Sequence, residues 1–292
     1  MQQIVLHLWF DTQAVEAARW YVSIFDHSRI TRISSLEGTP SGRVDTVAFE
    51  LEGVPFSAIS AGPYFTLNSS VSLMVTCRSP EEVDRLYASL SQGATERMPL
   101  GEYPFSKRYV WLADRFGVNW QLTCFETDNI TQKIRPNLLF AGDVCGKVTD
   151  ALAFYQRVFP DSSLGYVNYY RPGEAEDARA RVNYGELTLP GCQFVLMDHG
   201  AGGDETFNEA FSFMVLCPDQ AQIDAYWQAL SAVPEAEQCG WLKDRFGVSW
   251  QIVPADMADV LASLNGDAKK RYTEAFLQMK KLNIAALREA IR

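Results

Sequence analysis

The chain repeats itself, and no other feature limits its fold as tightly. Trp111-Leu112-Ala113-Asp114-Arg115-Phe116-Gly117-Val118-Asn119-Trp120-Gln121 returns 130 residues later as Trp241-Leu242-Lys243-Asp244-Arg245-Phe246-Gly247-Val248-Ser249-Trp250-Gln251, identical at nine of eleven positions. Tyr21 and Phe25 match Tyr155 and Phe159 at a spacing of 134, and Asn68, Ser72, Val75 and Cys77 match Asn208, Ser212, Val215 and Cys217 at 140. The changing offset places insertions in the second copy at 142–146 and 171–179, and a ten-residue loss opposite 99–108. A chain of 292 residues built this way is expected to form two copies of one domain, 1–125 and 134–254. The polar stretch 126–133 is the expected linker, and 255–292 the expected helical extension.

Inside each copy the apolar periodicity changes from two to 3.6 and back. Residues 6–10 alternate as a strand, and Val15, Ala18, Val22 and Phe25 then mark one face of a helix, as do Val148, Leu152, Tyr155 and Phe159. Strand-like runs follow at 46–51, 55–60 and 71–77. Ser79-Pro80-Glu81-Glu82 supplies a hydroxyl cap with proline at the first helical position, and Asp219 and Gln222 occupy the same places in the second copy. Each copy therefore reads as two strand-helix-three-strand units, an α+β arrangement. The tail reads as helices over 256–264 and 268–282, with Tyr272, Ala275, Phe276, Met279 and Leu282 on one face, and Asn283 capping a last turn.

Charge and histidine content narrow the chemistry. With 26 basic against 36 acidic side chains the formal charge is −10, and no basic run exceeds two residues, which argues against nucleic-acid or anionic-membrane partners. The six cysteines form no Cys-x-x-Cys pair and read as reduced thiols of a soluble, cytoplasmic protein. No leader pattern or apolar run of about 20 residues is visible. Only His7, His27 and His199 exist, so a site needing three imidazoles within one copy is excluded.

The segments Met98-Pro99-Leu100-Gly101-Glu102-Tyr103-Pro104-Phe105 and Cys239 through Pro254, with helices ending in Phe25-Asp26 and Phe159-Pro160, resemble the PhnB-like branch of the glyoxalase, bleomycin resistance and dioxygenase (vicinal oxygen chelate) superfamily. Some of its members carry the name demethylubiquinone methyltransferase. The resemblance implies tandem glyoxalase-like domains, each of two βαβββ modules whose sheets curl around a cavity, and a duplicated chain acting as an intramolecular pseudo-dimer that can remain a monomer. Metal-dependent members place His or Glu on the first, fourth, fifth and eighth strands. The matching positions here are His7, Ser60, Ser72 and Gln121, then Asn137, Asp198 beside His199, Ser212 and Gln251. Neither set assembles three strong ligands, so no cofactor is expected, a divalent cation being the alternative.

Alternation along the strands groups His7, Trp9, Ser60, Ser72, Met74 and Gln121 as the cavity of copy one, and Asn137, Asp198, Ser212 and Gln251 as that of copy two. The stretch 101–108, with Tyr103, Phe105, Lys107 and Arg108, is a candidate lid, the alternative being passive packing on the other copy. Asp-Arg-Phe-Gly reads as a structural turn, and His199 as a turn or solvent residue, with a general base oriented by Asp198 as its alternative. No glycine-rich strand-to-helix turn marks a methyltransferase cofactor site, and no Gly-x-Ser-x-Gly elbow marks a nucleophile. The leading expectation is binding of a small organic ligand without a metal. A metal-dependent lyase, isomerase or dioxygenase is the second reading, and a structural or regulatory role through the C-terminal helices the third.

Overall fold

The computed structural model describes residues 3–125 and 130–292, so 126–129 of the expected linker lie outside the described residues. Four modules follow one another. The first is β1 (Gln3–Phe10), α1 (Ala14–Ile24), β2 (Arg29–Thr39), β3 (Gly42–Leu51) and β4 (Val54–Ser60). The second is β5 (Val71–Cys77), α2 (Pro80–Leu90), β6 (Thr95–Tyr103), β7 (Ser106–Ala113) and β8 (Asn119–Cys124). The second copy repeats them as β9 (Ile134–Phe140), α3 (Val148–Val158), β10 (Ser163–Tyr169), β11 (Val182–Leu189) and β12 (Cys192–Asp198), then β13 (Phe211–Cys217), α4 (Gln220–Leu230), β14 (Trp241–Lys243) and β15 (Ser249–Pro254). The helix starts form as their residues dictate. Ser79 Oγ accepts from Glu82 N at 3.4 Å, and an Asp219 carboxylate oxygen accepts from Gln222 N at 2.9 Å.

The modules pair across the copies. One sheet runs β14-β15-β13-β1-β4-β3-β2 and the other β10-β11-β12-β9-β5-β8-β7-β6. Each sheet thus joins the first module of one copy to the second module of the other. The joints are antiparallel seams, with His7 opposite Ser212 and Asn137 opposite Ser72. Every residue of β5, β8, β9 and β15 is buried, as expected of inner strands covered on both faces. The copy-one cavity expected from the sequence is therefore corrected: His7 and Trp9 lie in one sheet, while Ser72, Met74 and Gln121 lie in the other.

The outer faces of both sheets carry the helices and one continuous apolar core. Its polar centre is the recurring turn. Asp114 accepts from Tyr21 Oη and Trp120 Nε1, both at 2.8 Å, and from the backbone of Phe116 and Val118. Asp244 does the same with Tyr155 at 2.7 Å, Trp250 at 2.9 Å, Phe246 and Val248. Arg115 and Arg245 lie 4.5 Å over the rings of Trp20 and Phe154. The motif recurs because it ties a helix to a strand in each copy, which is the structural role expected of it.

The tail forms α5 (Met257–Ser263), α6 (Gly266–Leu277) and α7 (Ile284–Glu289). Its apolar face does not stay free. Tyr272, Phe276, Leu282 and Leu287 pack with Leu36, Met214, Leu216 and Val253, all on the concave face of the seven-stranded sheet. Cys239 N and Gly240 N donate to the carbonyls of Met279 and Lys280, both at 2.7 Å, and Arg32 pairs with Asp259 at 2.6 Å. No helix among the described residues is long and apolar enough to cross a membrane.

Candidate functional site

Strand alternation gives each sheet one face toward its helices and one concave face. On the eight-stranded sheet the concave face is open and forms a cavity of about 1130 Å³ across the seam between the copies. Its floor holds Gln121, whose Oε1 accepts from Tyr109 Oη at 2.8 Å and whose Nε2 donates to Ser72 Oγ at 2.8 Å. Asn137 Nδ2 reaches the same Ser72 oxygen at 3.3 Å, and burial raises the Tyr109 phenol well above its ordinary range. Beside them Arg135, only 9% exposed, donates from Nη1 to Glu186 Oε1 at 2.9 Å and from Nη2 to Thr76 Oγ1 at 3.3 Å. Tyr184 Oη donates to the same Glu186 oxygen at 2.8 Å. Burial alone would raise the Glu186 carboxyl; the hydrogen bonds and the Arg135 charge outweigh it and hold the group below its usual range. Trp111 and Tyr166 form aromatic walls, and Met74, Leu139 and Met197 supply apolar surface.

The concave face of the seven-stranded sheet carries the same ladder. Gln251 Nε2 donates to Ser212 Oγ at 3.0 Å, as Gln121 does to Ser72, and His7 stands where Asn137 stands. The surroundings differ position by position. Val5 lies opposite Met214 where Arg135 lies opposite Met74, and Ala48 occupies the place of Glu186. Leu216 and Val253 pair where Thr76 and Thr123 pair. This face is apolar where its twin is charged and hydroxylated, and the tail covers it. His7 is 5% exposed beneath Trp241, whose ring centroid lies 5.5 Å away, and neither imidazole nitrogen has a hydrogen-bond partner among the described residues. Burial pushes its pKa down to about 3, so the ring is neutral. Trp9 packs edge-on against Trp241 and Phe65.

The structure sorts the residues singled out from sequence into three groups. Met74 and Gln121 line the open cavity, with Ser72 and Asn137 hydrogen-bonded beneath. His7, Trp9, Ser212 and Gln251 share the other concave face. Ser60 belongs to neither face, which corrects its expected place, and Asp198 lines the end of the open cavity while its carboxylate is turned to the helix side. Ser60 pairs with Phe10, so its side chain is on the helix side, where Oγ accepts from Ala14 N at 3.0 Å at the start of α1. Asp198 pairs with Phe140 and is the matching group for α3, accepting from Gly146 N at 2.7 Å, Val148 N, Arg181 N and Val182 N. The close approach at Gly146 is open only to glycine, since a Cβ there would stand 2.4 Å from the Arg179 carbonyl.

The candidate lid reaches the cavity through one of its four residues. Residues 101–108 are not a free loop but the tip of the β6–β7 hairpin, because Tyr103 pairs with Ser106. Phe105 lines the cavity mouth and stacks on Tyr103 at 5.6 Å. Arg108 is turned to the helix side, donating to Asp84 at 2.7 Å, and Lys107 is exposed. Sequence reading missed Arg135 and Glu186; the available signal was a charged residue inside a strand otherwise fit for full burial, which demands a partner. It also gave His199 to a turn or to solvent; a turn forms there, with Gly202 N donating to its carbonyl at 3.2 Å, but the ring lines the cavity, its Nδ1 without a partner among the described residues and its pKa lowered by burial.

A divalent cation is poorly served by either face. The groups at the expected ligand positions are Asn137, Ser72 and Gln121 on one and His7, Ser212 and Gln251 on the other, and the amides and hydroxyls already bond one another. No carboxylate offsets the desolvation of a cation there. Among the described residues no three His, Cys, Asp or Glu side chains cluster as a metal site.

Comparison with known proteins agrees with this geometry. A family model described as 3-demethylubiquinone-9 3-methyltransferase matches residues 2–123 and again 132–253. A PhnB protein from Bacillus cereus, described as a candidate 3-demethylubiquinone-9 3-methyltransferase, is 38% identical over 41% of this chain and 98% of its own, with a TM-score of 0.39. Glyoxalase I from Zea mays is 10% identical, covers 89% of this chain and 95% of its own, and has a TM-score of 0.55, which shows a shared fold. None of the curated proteins matches the chain.

Proposed function

The chain belongs to the 3-demethylubiquinone-9 3-methyltransferase family, PhnB-like members of the glyoxalase and bleomycin resistance superfamily, in two tandem copies, and from that premise we propose that it binds a small organic molecule in the seam cavity. The observation that carries this reading is the contrast between the two concave faces. One is apolar and covered by the chain's own helices; the other is open over about 1130 Å³ and keeps amides, aromatic rings and a half-buried ion pair around that space. Such a mixture suits an organic ligand of moderate size.

The family description does not guide the chemistry. A nucleotide-type cofactor is held where a glycine-rich turn leaves a parallel sheet, and the sheets here are mixed, with antiparallel seams. The six cysteines are free thiols, in keeping with a reducing cytoplasm. The tail's apolar side chains are engaged on their own sheet, which favours ligand binding over a partner-docking role for these helices.

Native mass spectrometry of gently purified protein tests the reading, followed by tryptophan fluorescence with a metabolite panel. One small molecule per chain is expected, with an emission change that is lost in Trp111→Phe. A chain that carries and takes up nothing, or binding that ignores Trp111, would count against the cavity as the ligand site.

A further inference from the structure

The Arg135–Glu186 pair is not needed to build this sheet. Its twin folds with Val5 and Ala48 at the corresponding places and the same Ser–Gln ladder between them. Replacing a buried ion pair by apolar groups is commonly neutral or stabilising, so a pair held in a cavity floor without structural need points to a ligand. The pair is also unbalanced in its hydrogen bonds. Glu186 takes three donors, from Arg135 and Tyr184 on Oε1 and from Tyr166 N on Oε2. The guanidinium has five N–H groups; it meets Glu186, Thr76, Tyr184 and the Met74 sulfur, and its Nε has no partner among the described residues. Gln121 adds one N–H beyond the bond it gives to Ser72. Arg135 Nε and the second Gln121 N–H are thus donors left over in the floor, beside the amide oxygens of Asn137 and Asn183, likewise unpartnered among the described residues, and Arg97 lies farther along the same wall, 5.8 Å over the Trp111 ring.

We propose that the seam cavity takes a planar aromatic carboxylic acid, its carboxylate seated on Arg135 and its ring system against Trp111 and Tyr109. This rests on the cavity being the ligand site. A carboxylate is the planar acceptor that matches the guanidinium fork, and the aromatic walls cover the faces of a flat body. Glu186 then acts as the stand-in acceptor that holds Arg135 in place before the acid arrives.

Calorimetric titration with 2-naphthoate, 2-naphthamide and 2-naphthylmethylamine on the full chain separates the outcomes. Binding of naphthoate at least tenfold tighter than the amide, with no amine binding, is expected. Arg135→Met abolishes the preference for the acid and Arg135→Lys weakens it, since an ammonium lacks the planar fork. Glu186→Gln removes the competing carboxylate and strengthens naphthoate binding, a gain that misfolding cannot produce. Equal or tighter binding of the amide or the amine overturns the acid assignment while leaving the cavity as the ligand site. Silence from all three probes, together with no ligand by native mass spectrometry, overturns both.

Discussion

Val5 and Arg135 hold one position in the two halves of the molecule, each opposite a methionine across its seam, Met214 and Met74. The same backbone place thus accepts either an aliphatic side chain or a guanidinium with its counterion.

That equivalence makes a stability prediction. Arg135→Val alone leaves Glu186 without its cation, and a loss of about 2 kcal/mol is expected, between the values for exposed and for buried pairs because Glu186 is partly exposed. Adding Glu186→Ala recreates the Val5–Ala48 arrangement and should recover most of it. Urea unfolding of the two single variants and the double variant closes the cycle; strictly additive losses would show that the pair is not coupled.

Acid should weaken the protein through His7. The ring has a pKa of about 3 in the folded chain against about 6.5 when unfolded, so between those values the unfolded state binds the extra proton and stability falls as the pH falls. Relative to His7→Asn, which copies Asn137 of the twin face, the parent should lose roughly 1.4 kcal/mol per pH unit across that window. Parallel stability curves for parent and variant from pH 6 to pH 4 would refute the assignment.

The two buried aspartates should behave alike. Asp244 is pushed up to about 6 by burial, with four donors pulling it back, and Asp114 is raised for the same reason. Asp114→Asn or Asp244→Asn replaces an acceptor oxygen by an NH₂ group facing donors, and each should cost about 1–3 kcal/mol in chemical denaturation. A much smaller loss in one copy would mean that its turn is held by the surrounding apolar packing instead.

The tail should matter for stability and not for the cavity. Leu282→Ala removes a fully buried side chain between Gly240 and the sheet, and about 2–5 kcal/mol is expected. Acrylamide should then quench Trp9 and Trp241 more readily, while ligand affinity stays that of the parent. A fall in affinity would place the tail in communication with the open face.

Local patterns in the sequence foretold the local structure. Strand alternation put Met74 and Gln121 on the cavity side, where they lie, and the caps at Ser79, Asp219 and Asn283 form as their side chains suggest. The partner of each module was not legible. β1 presents the same alternating edge to β13 as it would to β5, since duplicated strands are near-equivalent neighbours and only long-range packing chooses between them. Ser60 was misplaced because a register slip of one residue exchanges cavity and helix faces. Arg135 was not legible because the ligand-type pattern concerns four strand positions, and the ion pair occupies neighbouring ones.

Joining the copies in one chain releases them from symmetry. In a homodimer of a single copy every substitution appears twice, so a valine at the seam would remove the arginine from both faces at once. Here a mutation alters one face only. One could therefore become an anchorage for the C-terminal helices, adding apolar burial, while the other kept its charges and its space. The expected binding capacity is accordingly one ligand per tandem chain, where a symmetric dimer of the same mass would hold two.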